Sequence, residues 1–463
     1  MSRPLRVVVI GSGPSGFYAA EALQRQSAVP VQVDMLDRLP TPYGLVRGGV
    51  APDHQKIKGV TVVYERIASH PEFRFYGNVM LGRDVQVSEL DKHYDAVIYA
   101  VGNESDKRMG IPGEDFSGSH PATNFVGWFN GHPDYREERF DLSVERAVVV
   151  GIGNVAMDVA RILAEDPEVL AKTDIAGYAL EALRKSRVRE VTILGRRGPA
   201  QAAFSPAEIA EIGSLHGADL VLLPEEARLD DVSRETLSRK PDPEAEKNIK
   251  YLNDKAAQGA GSNPRKVHLR LCVSPVEVLG ENGRMNAVRI EKNKLTADEK
   301  GNVRPKGTGQ METLQAGLIF RSVGYNGVPI QGVPFDAKSG HIPNEAGRVV
   351  DEAKKPILGK YVVGWAKRGP SGLVGTNRPC SVATANALLE DFKSFDAGPA
   401  PEKAREAAEA LYRSRQKELF TFKDWKALDR IEVETGKKLG KVREKFTSVA
   451  EMVAALSSEK AAA

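Results

Sequence analysis

Three glycines near the start of the chain have the spacing of a phosphate-binding turn. Gly11, Gly13 and Gly16 follow four apolar residues, 7–10, and precede a helix-forming run at 17–23. In this G-x-G-x-x-G pattern the glycines permit a tight turn, close approach of a pyrophosphate and close packing of the helix on the strand. The unpaired amides at the start of the helix then face the anion. The pattern predicts a dinucleotide site after a buried parallel strand.

A carboxylate and a long loop follow this turn. The strand predicted at 31–36 ends at Asp37, where an acid can bind a pair of ribose hydroxyls. The segment 38–54 is rich in glycine and proline, which indicates an irregular loop that would lie over the bound nucleotide. The alternative for this loop is a surface connection. His54 closes the segment, and taken alone it fits a structural histidine as well as a catalytic one.

A second strand, turn and helix start occur far downstream. The apolar residues 147–150 lead into Gly151 and Gly153, with Ala156 in place of the third glycine. The fingerprint permits that replacement, so the segment predicts a second dinucleotide site. The alternative is a degenerate turn that is kept only for packing.

The second turn is followed by arginines and not by an acid. Arg196 and Arg197 come directly after the strand predicted at 191–194, where paired guanidiniums suit a 2′-phosphate that a carboxylate would repel. A charged, helix-prone insert at 165–187 makes the spacing longer than usual. Two solvated surface charges are the alternative, but the preceding turn favours NADP.

The order of these motifs predicts the domain organisation. Buried strands that end in glycine at 95–102 and 317–324 flank a long insert, as expected where a chain leaves one domain and returns. We predict an α/β protein with two Rossmann-like three-layer dinucleotide-binding domains, one inserted in the other, and a mainly helical C-terminal tail. The predicted boundaries are 1–104 and 321–395 for the first domain, 105–320 for the inserted domain, and 396–463 for the tail. The tail begins with a Pro-Ala linker, and Trp425 is expected to tether it. The polar segment 230–264 is expected to form exposed loops.

Composition limits the function further. A chain of 463 residues has room for two or three domains, and its net charge of +3 argues against a dedicated nucleic-acid binder. Cys272 and Cys380 form no C-x-x-C, so redox chemistry must come from a cofactor. No metal site is predicted. No signal peptide or membrane-spanning run is found, and a cytoplasmic soluble protein is expected.

With both turns in place, the sequence resembles the adrenodoxin-reductase-like ferredoxin–NADP reductases, in particular the bacterial FprA type. The matching motifs are Gly-Ser-Gly-Pro-Ser-Gly at 11–16, Thr-Pro-Tyr-Gly-Leu-Val-Arg at 41–47, Val-Ala-Pro-Asp-His at 50–54, Gly-Asn-Val-Ala-Met-Asp at 153–158, Gly-Arg-Arg-Gly-Pro at 195–199, and Gly-Trp-Ala-Lys-Arg-Gly-Pro-Ser-Gly-Leu-Val-Gly-Thr-Asn at 364–377. The resemblance covers nearly the whole chain.

The resemblance implies FAD in the first domain and NADP in the inserted domain. The implied FAD residues are Gly11, Gly13, Ser15, Gly16, Asp37, Leu45, Leu81, Trp365, Gly372, Leu373 and Val374. The implied NADP residues are Lys107, Arg108, Ile152, Gly153, Asn154, Val155, Arg196, Arg197, Glu208 and Gly372. His54 and Glu211 fall at positions that the family places beside the reacting rings. Asp37 stands where the family usually has glutamate.

The implied activity is FAD-dependent hydride transfer from NADPH to flavin N5, followed by one-electron transfer to a ferredoxin-type iron–sulfur protein. That partner would bind transiently and electrostatically to a monomer. The arginines that mitochondrial relatives present to their ferredoxin have no clear counterpart, although Arg234, Arg239, Lys240 and Lys247 lie in that region. Alternatives are an NADPH:quinone or dye reductase, a flavin monooxygenase-like enzyme and a non-catalytic NADP-binding sensor.

Overall fold

The structure, a computed structural model, describes residues 4–26, 28–392 and 404–462. The end of the predicted first domain, 393–395, and the start of the predicted tail with its Pro-Ala linker lie outside the described residues. The strands are β1 (Leu5–Ile10), β2 (Val31–Asp37), β3 (Phe73–Gly77), β4 (Ala96–Tyr99), β5 (Ser105–Asp106), β6 (Ser119–Pro121), β7 (Arg146–Val150), β8 (Glu190–Gly195), β9 (Ala218–Leu222), β10 (Arg265–Leu271), β11 (Val273–Glu281), β12 (Arg284–Ala297), β13 (Val303–Gln315), β14 (Leu318–Arg321), β15 (Tyr325–Asn326), β16 (Asn344–Glu345), β17 (Arg348–Val350), β18 (Pro356–Val362) and β19 (Phe420–Thr421).

The helices are α1 (Pro14–Arg25), α2 (Leu45–Gly48), α3 (Gln55–Lys58), α4 (Thr61–Ala68), α5 (Val87–Leu90), α6 (Ala122–Phe129), α7 (Asn154–Ala164), α8 (Pro167–Leu170), α9 (Gly177–Arg184), α10 (Pro206–Ile212), α11 (Pro224–Ala227), α12 (Asp231–Arg239), α13 (Pro243–Gln258), α14 (Trp365–Arg368), α15 (Asn377–Asp391), α16 (Ala404–Arg415), α17 (Phe422–Lys438) and α18 (Val449–Ala462). Short 3-10 turns lie at Pro133–Tyr135, Pro199–Gln201 and Val374–Thr376. In the part of the chain that the structure describes, no helix is both long and apolar enough to cross a membrane.

The chain divides into two compact units. Unit 1 comprises the described residues of 1–105, 130–133 and 324–463, and unit 2 comprises 106–129 and 134–323. Each unit has its own sheet with parallel central strands, so the α/β class and the two dinucleotide-binding folds are as predicted.

The sheet of unit 1 has the strand order β16-β17-β18-β4-β1-β2-β3-β19, and its central strands β18, β4, β1, β2 and β3 are parallel. Alternate residues of β1 face opposite layers because side chains alternate along a strand. Val7 and Val9 pack in one apolar cluster, whereas Val8 and Ile10 pack in another. A strand that is buried on both faces explains the continuous apolar run.

The sheet of unit 2 is parallel throughout, with the order β6-β14-β7-β8-β10-β9. Helices cover one face, where Val149 packs with the apolar side of α7. The antiparallel sheet β11-β12-β13 covers the other face, where Val148 and Val150 pack against its Val288 and Ile290. This three-stranded layer belongs to the three-layer architecture that the sequence predicts.

The polar segment 230–264 is helical, so the expectation of exposed loops was wrong for most of it. Asp230 accepts a hydrogen bond from the Ser233 amide and caps α12, and Asp242 accepts from the amides of Glu244 and Ala245 and caps α13. Leu252 of α13 is fully buried in the core of unit 2. The polar composition reflects a long amphipathic helix with one narrow buried face.

The tail helices pack onto both faces of the unit 1 sheet. Tyr412 of α16 is fully buried in the cluster with Val8, whereas Trp425 and Leu428 of α17 pack in the cluster with Val7. Trp425 therefore tethers the tail as predicted. After the loop, residues 55–68 form two helices, α3 and α4, which are separated at Gly59–Val60.

Candidate functional site

The first glycine turn joins β1 to α1 in unit 1. Gly11 has φ +102°, and a Cβ there would lie 2.5 Å from the Ala100 carbonyl oxygen. A Cβ on Gly16 would overlap the Gly11 carbonyl oxygen. Both positions therefore require glycine, for backbone conformation in one case and for the contact between helix and turn in the other.

Gly13 differs from its neighbours because it leaves space open. A Cβ at this position would meet no atom within 4 Å, although Gly13 is the N-cap of α1. The Gly44 backbone lies close to Gly13, since a Cβ built on Gly44 would be 3.0 Å from the Gly13 Cα. The Tyr43 amide donates to the Ser12 carbonyl oxygen at 3.0 Å. The turn thus leaves helix amides beside open space, which is the cradle that a pyrophosphate requires.

Asp37 lies at the carboxyl end of β2, beside this turn. Its Oδ2 accepts from the Ser12 amide at 2.8 Å and from the Ser12 hydroxyl at 2.5 Å, and its Oδ1 accepts from the Leu39 amide at 2.9 Å. These bonds orient the carboxylate. Oδ2 already accepts two bonds, whereas Oδ1 accepts one and keeps a lone pair for a ribose hydroxyl, so the predicted role is compatible with the local geometry at Oδ1.

Buried polar atoms near the end of β4 and in the Gly364–Asn377 segment have no hydrogen-bond partner. Asn103 is 4% exposed, and neither its Nδ2 nor its Oδ1 has a partner among the described residues. The Nε1 of Trp365 is likewise buried and unsatisfied in the described part of the chain, while the indole stacks on Tyr325 at 5.6 Å between ring centroids. Buried polar atoms are rarely left unpaired. Unit 1 therefore fits a polar aromatic group such as a flavin.

The other predicted FAD residues of unit 1 differ in how deeply they are buried. Ser15 is buried, and its carbonyl oxygen accepts from the Ser381 hydroxyl at 2.8 Å. Leu81 is a core residue packed with Ile10 and Leu36. Leu45 and Leu373 instead expose 42% and 64% of their surface. Gly372 has φ +79°, and Val374 packs at the edge of the cluster that contains Val7.

The second glycine turn joins β7 to α7 in unit 2. As in the first turn, one glycine is required by the backbone and another leaves space open. Gly151 has φ +128°, and a Cβ there would overlap the Ser322 carbonyl oxygen. Gly153 is the N-cap of α7, and a Cβ there would meet nothing within 4 Å. Ile152 is buried, and its carbonyl oxygen accepts from the Ala203 amide at 2.9 Å. Asn154 accepts through Oδ1 from the Ser205 amide at 3.1 Å, and the next residue, Val155, is half-buried.

Arg196 and Arg197 lie beside this second turn. A Cβ on the preceding Gly195 would lie 2.8 Å from Cγ2 of Ile152. No carboxylate of the described residues forms an ion pair with either guanidinium. Arg196 is exposed and Arg197 half-buried. Burial lowers the pKa of Arg197, as do the charges of Arg196 and Arg304. This concentration of unpaired positive charge fits a phosphate dianion.

The predicted acids of unit 2 lie on α10. Glu208 is 7% exposed, and its carboxylate accepts from the buried Arg161 at 3.3 Å. The side chain of Glu211 is 46% exposed and lies 3.6 Å from the same guanidinium. Arg161 thus orients both carboxylates and leaves Glu211 accessible. A catalytic or binding role for the two acids stays a prediction.

The remaining predicted residues are less constrained. Lys107 and Arg108 are exposed in unit 2, and the Arg108 guanidinium binds Asp115 at 2.6 Å. No described contact joins Arg108 to the Gly151–Asn154 turn. His54 is the N-cap of α3 in unit 1, and its amide donates to the Ala51 carbonyl oxygen at 3.0 Å.

Two asparagines were missed at the sequence level. Asn103 follows the strand-end glycine Gly102, a position that the motif itself could have indicated. Asn293 of β12 donates to the Arg196 carbonyl oxygen at 2.9 Å and to the Ser274 hydroxyl at 2.8 Å. The Cys272 amide donates to the Arg197 carbonyl oxygen at 3.1 Å. Nothing in the sequence near residue 196 points to this support.

Comparison with known proteins agrees with this geometry. A family model described as pyridine nucleotide-disulphide oxidoreductase matches residues 5–212. The chain is 45% identical to the NADPH-ferredoxin reductase FprA of Mycobacterium leprae, over 96% of this chain and 97% of the relative. It is 38% identical to the mitochondrial NADPH:adrenodoxin oxidoreductase of Arabidopsis thaliana, over 99% of this chain and 96% of the relative. The solved structure of Mycobacterium tuberculosis FprA in complex with NADPH superposes with a TM-score of 0.92 at 43% identity, covering 98% of this chain and 100% of that one.

Proposed function

The chain belongs to the family of NADPH-ferredoxin reductases that includes FprA, and we propose that it oxidises NADPH and reduces a ferredoxin-type iron–sulfur protein with the help of FAD. Bound FAD would supply the redox chemistry, since it takes up a hydride and passes on single electrons. The protein contributes binding, orientation and electrostatics. The unpaired Arg196 and Arg197 beside a glycine turn are the observation that carries the proposal.

We assign FAD to unit 1. The open backbone at Gly13 and the amides of α1 would hold the pyrophosphate, and Asp37 would hold a ribose. The unsatisfied Asn103 and Trp365 would bond to polar atoms of the ring system. Exposed Leu45 and Leu373, with Leu81, Gly372 and Val374, are assigned to its apolar surroundings.

We assign the nicotinamide coenzyme to unit 2. Gly153 and the amides of α7 would hold its pyrophosphate, and Arg196 and Arg197 its 2′-phosphate. Ile152, Asn154 and Val155 belong to the same turn. Glu208, Lys107 and Arg108 remain assigned to this coenzyme on family resemblance, as does Gly372 of unit 1.

His54 and Glu211 are assigned to positioning and electrostatic tuning. Hydride transfer needs neither a nucleophile nor a general base, so neither side chain has to transfer a proton. Glu211 is suited to this role because Arg161 orients it and leaves it accessible.

The proposed partner is an iron–sulfur protein. Of the basic residues noted in the sequence, Arg234 pairs with Asp231 and Arg239 with Glu235 on the same helix, α12. Lys240 and Lys247 are exposed. A transient electrostatic complex, a monomeric state and a cytoplasmic location stay predictions.

The proposed function is tested by acceptor kinetics. Purified protein that is loaded with FAD should reduce a bacterial ferredoxin with NADPH as the electron donor. The rate should fall steeply as the salt concentration rises, because opposite charges steer the encounter of the two proteins. A quinone is the comparison acceptor. Efficient quinone reduction with no ferredoxin reduction would establish the alternative reductase, and absence of flavin uptake would exclude the enzyme.

A further inference from the structure

The C-terminal tail contacts the loop that adjoins the first glycine turn. We name residues 41–48 the cofactor loop and residues 422–447 the clasp. The cofactor loop reaches the turn through the bond from the Tyr43 amide to the Ser12 carbonyl oxygen and through the close approach of Gly44 to Gly13. Both segments belong to unit 1.

An indole of the clasp covers two side chains of the cofactor loop. Trp425 is 1% exposed and meets the Tyr43 ring edge-on, with centroids 5.6 Å apart. Its Nε1 donates to the Tyr43 hydroxyl at 3.3 Å. The Arg47 guanidinium lies over the indole, 5.0 Å from the ring centroid. The cation–π contact and the hydrogen bond fix the loop side chains from outside.

A fully buried carboxylate lies next to this indole. Glu432 is 0% exposed and binds Arg47 through both oxygens, with N–O distances of 2.8 and 2.5 Å. It also accepts from Arg443 Nη1 at 3.0 Å and from the Phe446 amide at 2.9 Å. A buried carboxylate is stable only when its oxygens are bonded in this way, so the arrangement tolerates little displacement of Arg47.

A lysine of the clasp binds the cofactor-loop backbone as well. The Lys445 ammonium, 4% exposed as a residue, donates to the Arg47 carbonyl oxygen at 3.3 Å and to the Asn130 carbonyl oxygen at 3.0 Å. The end of α2 is therefore held through both the side chain and the main chain of Arg47.

Other contacts hold the tail in place without the clasp. Arg405 of α16 binds the buried Asp34 of β2 at 2.7 Å. Met452 and Leu456 of α18, which lie outside the clasp, pack in the apolar cluster with Val7. Loosening the Glu432–Arg47 pair should therefore free the cofactor loop while the tail helices stay packed.

We propose that Glu432, acting through Arg47, holds the cofactor loop against the first glycine turn and thereby sets how slowly FAD leaves unit 1. Glu432 thus acts as a positioning residue that does not contact the cofactor. The inference rests on the proposed binding of FAD by unit 1.

The test compares FAD release from the full-length protein. Wild type, Glu432→Gln, Arg47→Gln, the double variant and the control Glu434→Gln, an exposed glutamate of the same helix, are loaded with FAD and diluted, and the recovery of flavin fluorescence is followed. Glu432→Gln should release FAD at least tenfold faster than wild type, while Glu434→Gln should match wild type. The double variant should release FAD no faster than Arg47→Gln alone, because the carboxylate acts through that arginine.

Two results would overturn the clasp. One is release from folded Glu432→Gln at the wild-type rate, and the other is a double variant whose effect is the product of the two single effects. If Glu432→Gln does not fold, Trp425→Phe decides by the same assay: faster release supports the clasp, and wild-type release overturns it. A wild-type protein that takes up no FAD would instead refute the proposed function, and the clasp with it.

Discussion

We expect Arg196 and Arg197 to determine which nicotinamide coenzyme unit 2 accepts. A charge-assisted hydrogen bond to phosphate contributes roughly 1.5–3 kcal/mol, or about 10- to 100-fold in affinity. We expect Arg196→Gln and Arg197→Gln each to raise the KM for NADPH by a factor in that range, with no change for NADH, which lacks the 2′-phosphate. Steady-state kinetics with both coenzymes measure the effect.

Arg187 provides the matched control for these variants. It is an exposed arginine of the same unit, paired with Glu145 at 3.3 Å, and its loss removes one positive charge without touching the turn. Arg187→Gln should leave both KM values unchanged. Equal losses for NADPH and NADH in Arg196→Gln and Arg197→Gln would show that the arginines do not read the 2′-phosphate.

His120 makes unit 2 sensitive to acid. Its ring packs against Phe140 at 4.9 Å, and burial, together with the charge of Arg321, lowers its pKa to about 4. The unfolded chain takes up this proton near pH 6.5. The stabilisation that the neutral, buried His120 gives the folded state is therefore complete above about pH 6.5 and is lost as the pH falls toward 4. Titration of carbon-13-labelled histidine by NMR should show one ring that stays neutral to about pH 4, a signal missing in His120→Asn. A His120 signal that titrates near 6.5 would contradict this assignment.

Among the structural elements, each glycine turn contains glycines that the backbone requires and one glycine that we expect to be needed for binding. Gly153→Ala adds a Cβ where the structure has open space, at an extended φ of −105°. We expect an unchanged melting temperature and NADPH binding that is weaker by roughly tenfold, because the methyl group occupies the path of the pyrophosphate.

Gly151→Ala is the contrasting variant. Its φ of +128° and the overlap with the Ser322 carbonyl oxygen should destabilise the fold by about 1–3 kcal/mol. Calorimetry and coenzyme titration on both variants test the division. A destabilised Gly153→Ala with normal NADPH binding would contradict it.

The β12–β13 hairpin supports the arginine-bearing segment from outside. Asn293→Ala removes the bond to the Arg196 carbonyl oxygen. A lost neutral hydrogen bond of about 1 kcal/mol should raise the KM for NADPH roughly fivefold without affecting NADH. Asn286→Ala, exposed on the same strand, serves as control. A change in kcat with an unaltered KM would argue against a positioning role.

Local patterns predicted the elements that carry the chemistry. Both turns could be read from the sequence because a buried strand, glycines at fixed spacing and a helix start lie within a few residues of each other. The helices α12 and α13 could have been found from their Asp230 and Asp242 caps, but their polar composition suggested loops. The support of Arg196 by Asn293 and the pairing of Arg47 with Glu432 join residues 97 and 385 positions apart, so only tertiary structure reveals them.

At the scale of the whole molecule, the chain combines two nucleotide-binding units with opposite chemistry at the ends of corresponding strands. In unit 1, β2 ends in Asp37, whose carboxylate would repel a 2′-phosphate. In unit 2, β8 ends in front of Arg196 and Arg197, whose charge suits one. From this asymmetry we infer that FAD binds unit 1 and NADP binds unit 2.

The most direct test is anaerobic reduction of the FAD-loaded protein by NADPH and by NADH in a stopped-flow spectrophotometer. At equal subsaturating concentrations, NADPH should bleach the flavin absorbance roughly 100-fold faster or more, since two arginines recognise the additional phosphate. Equal rates with the two coenzymes, or a colourless protein that takes up no FAD, would contradict this assignment of the two nucleotides.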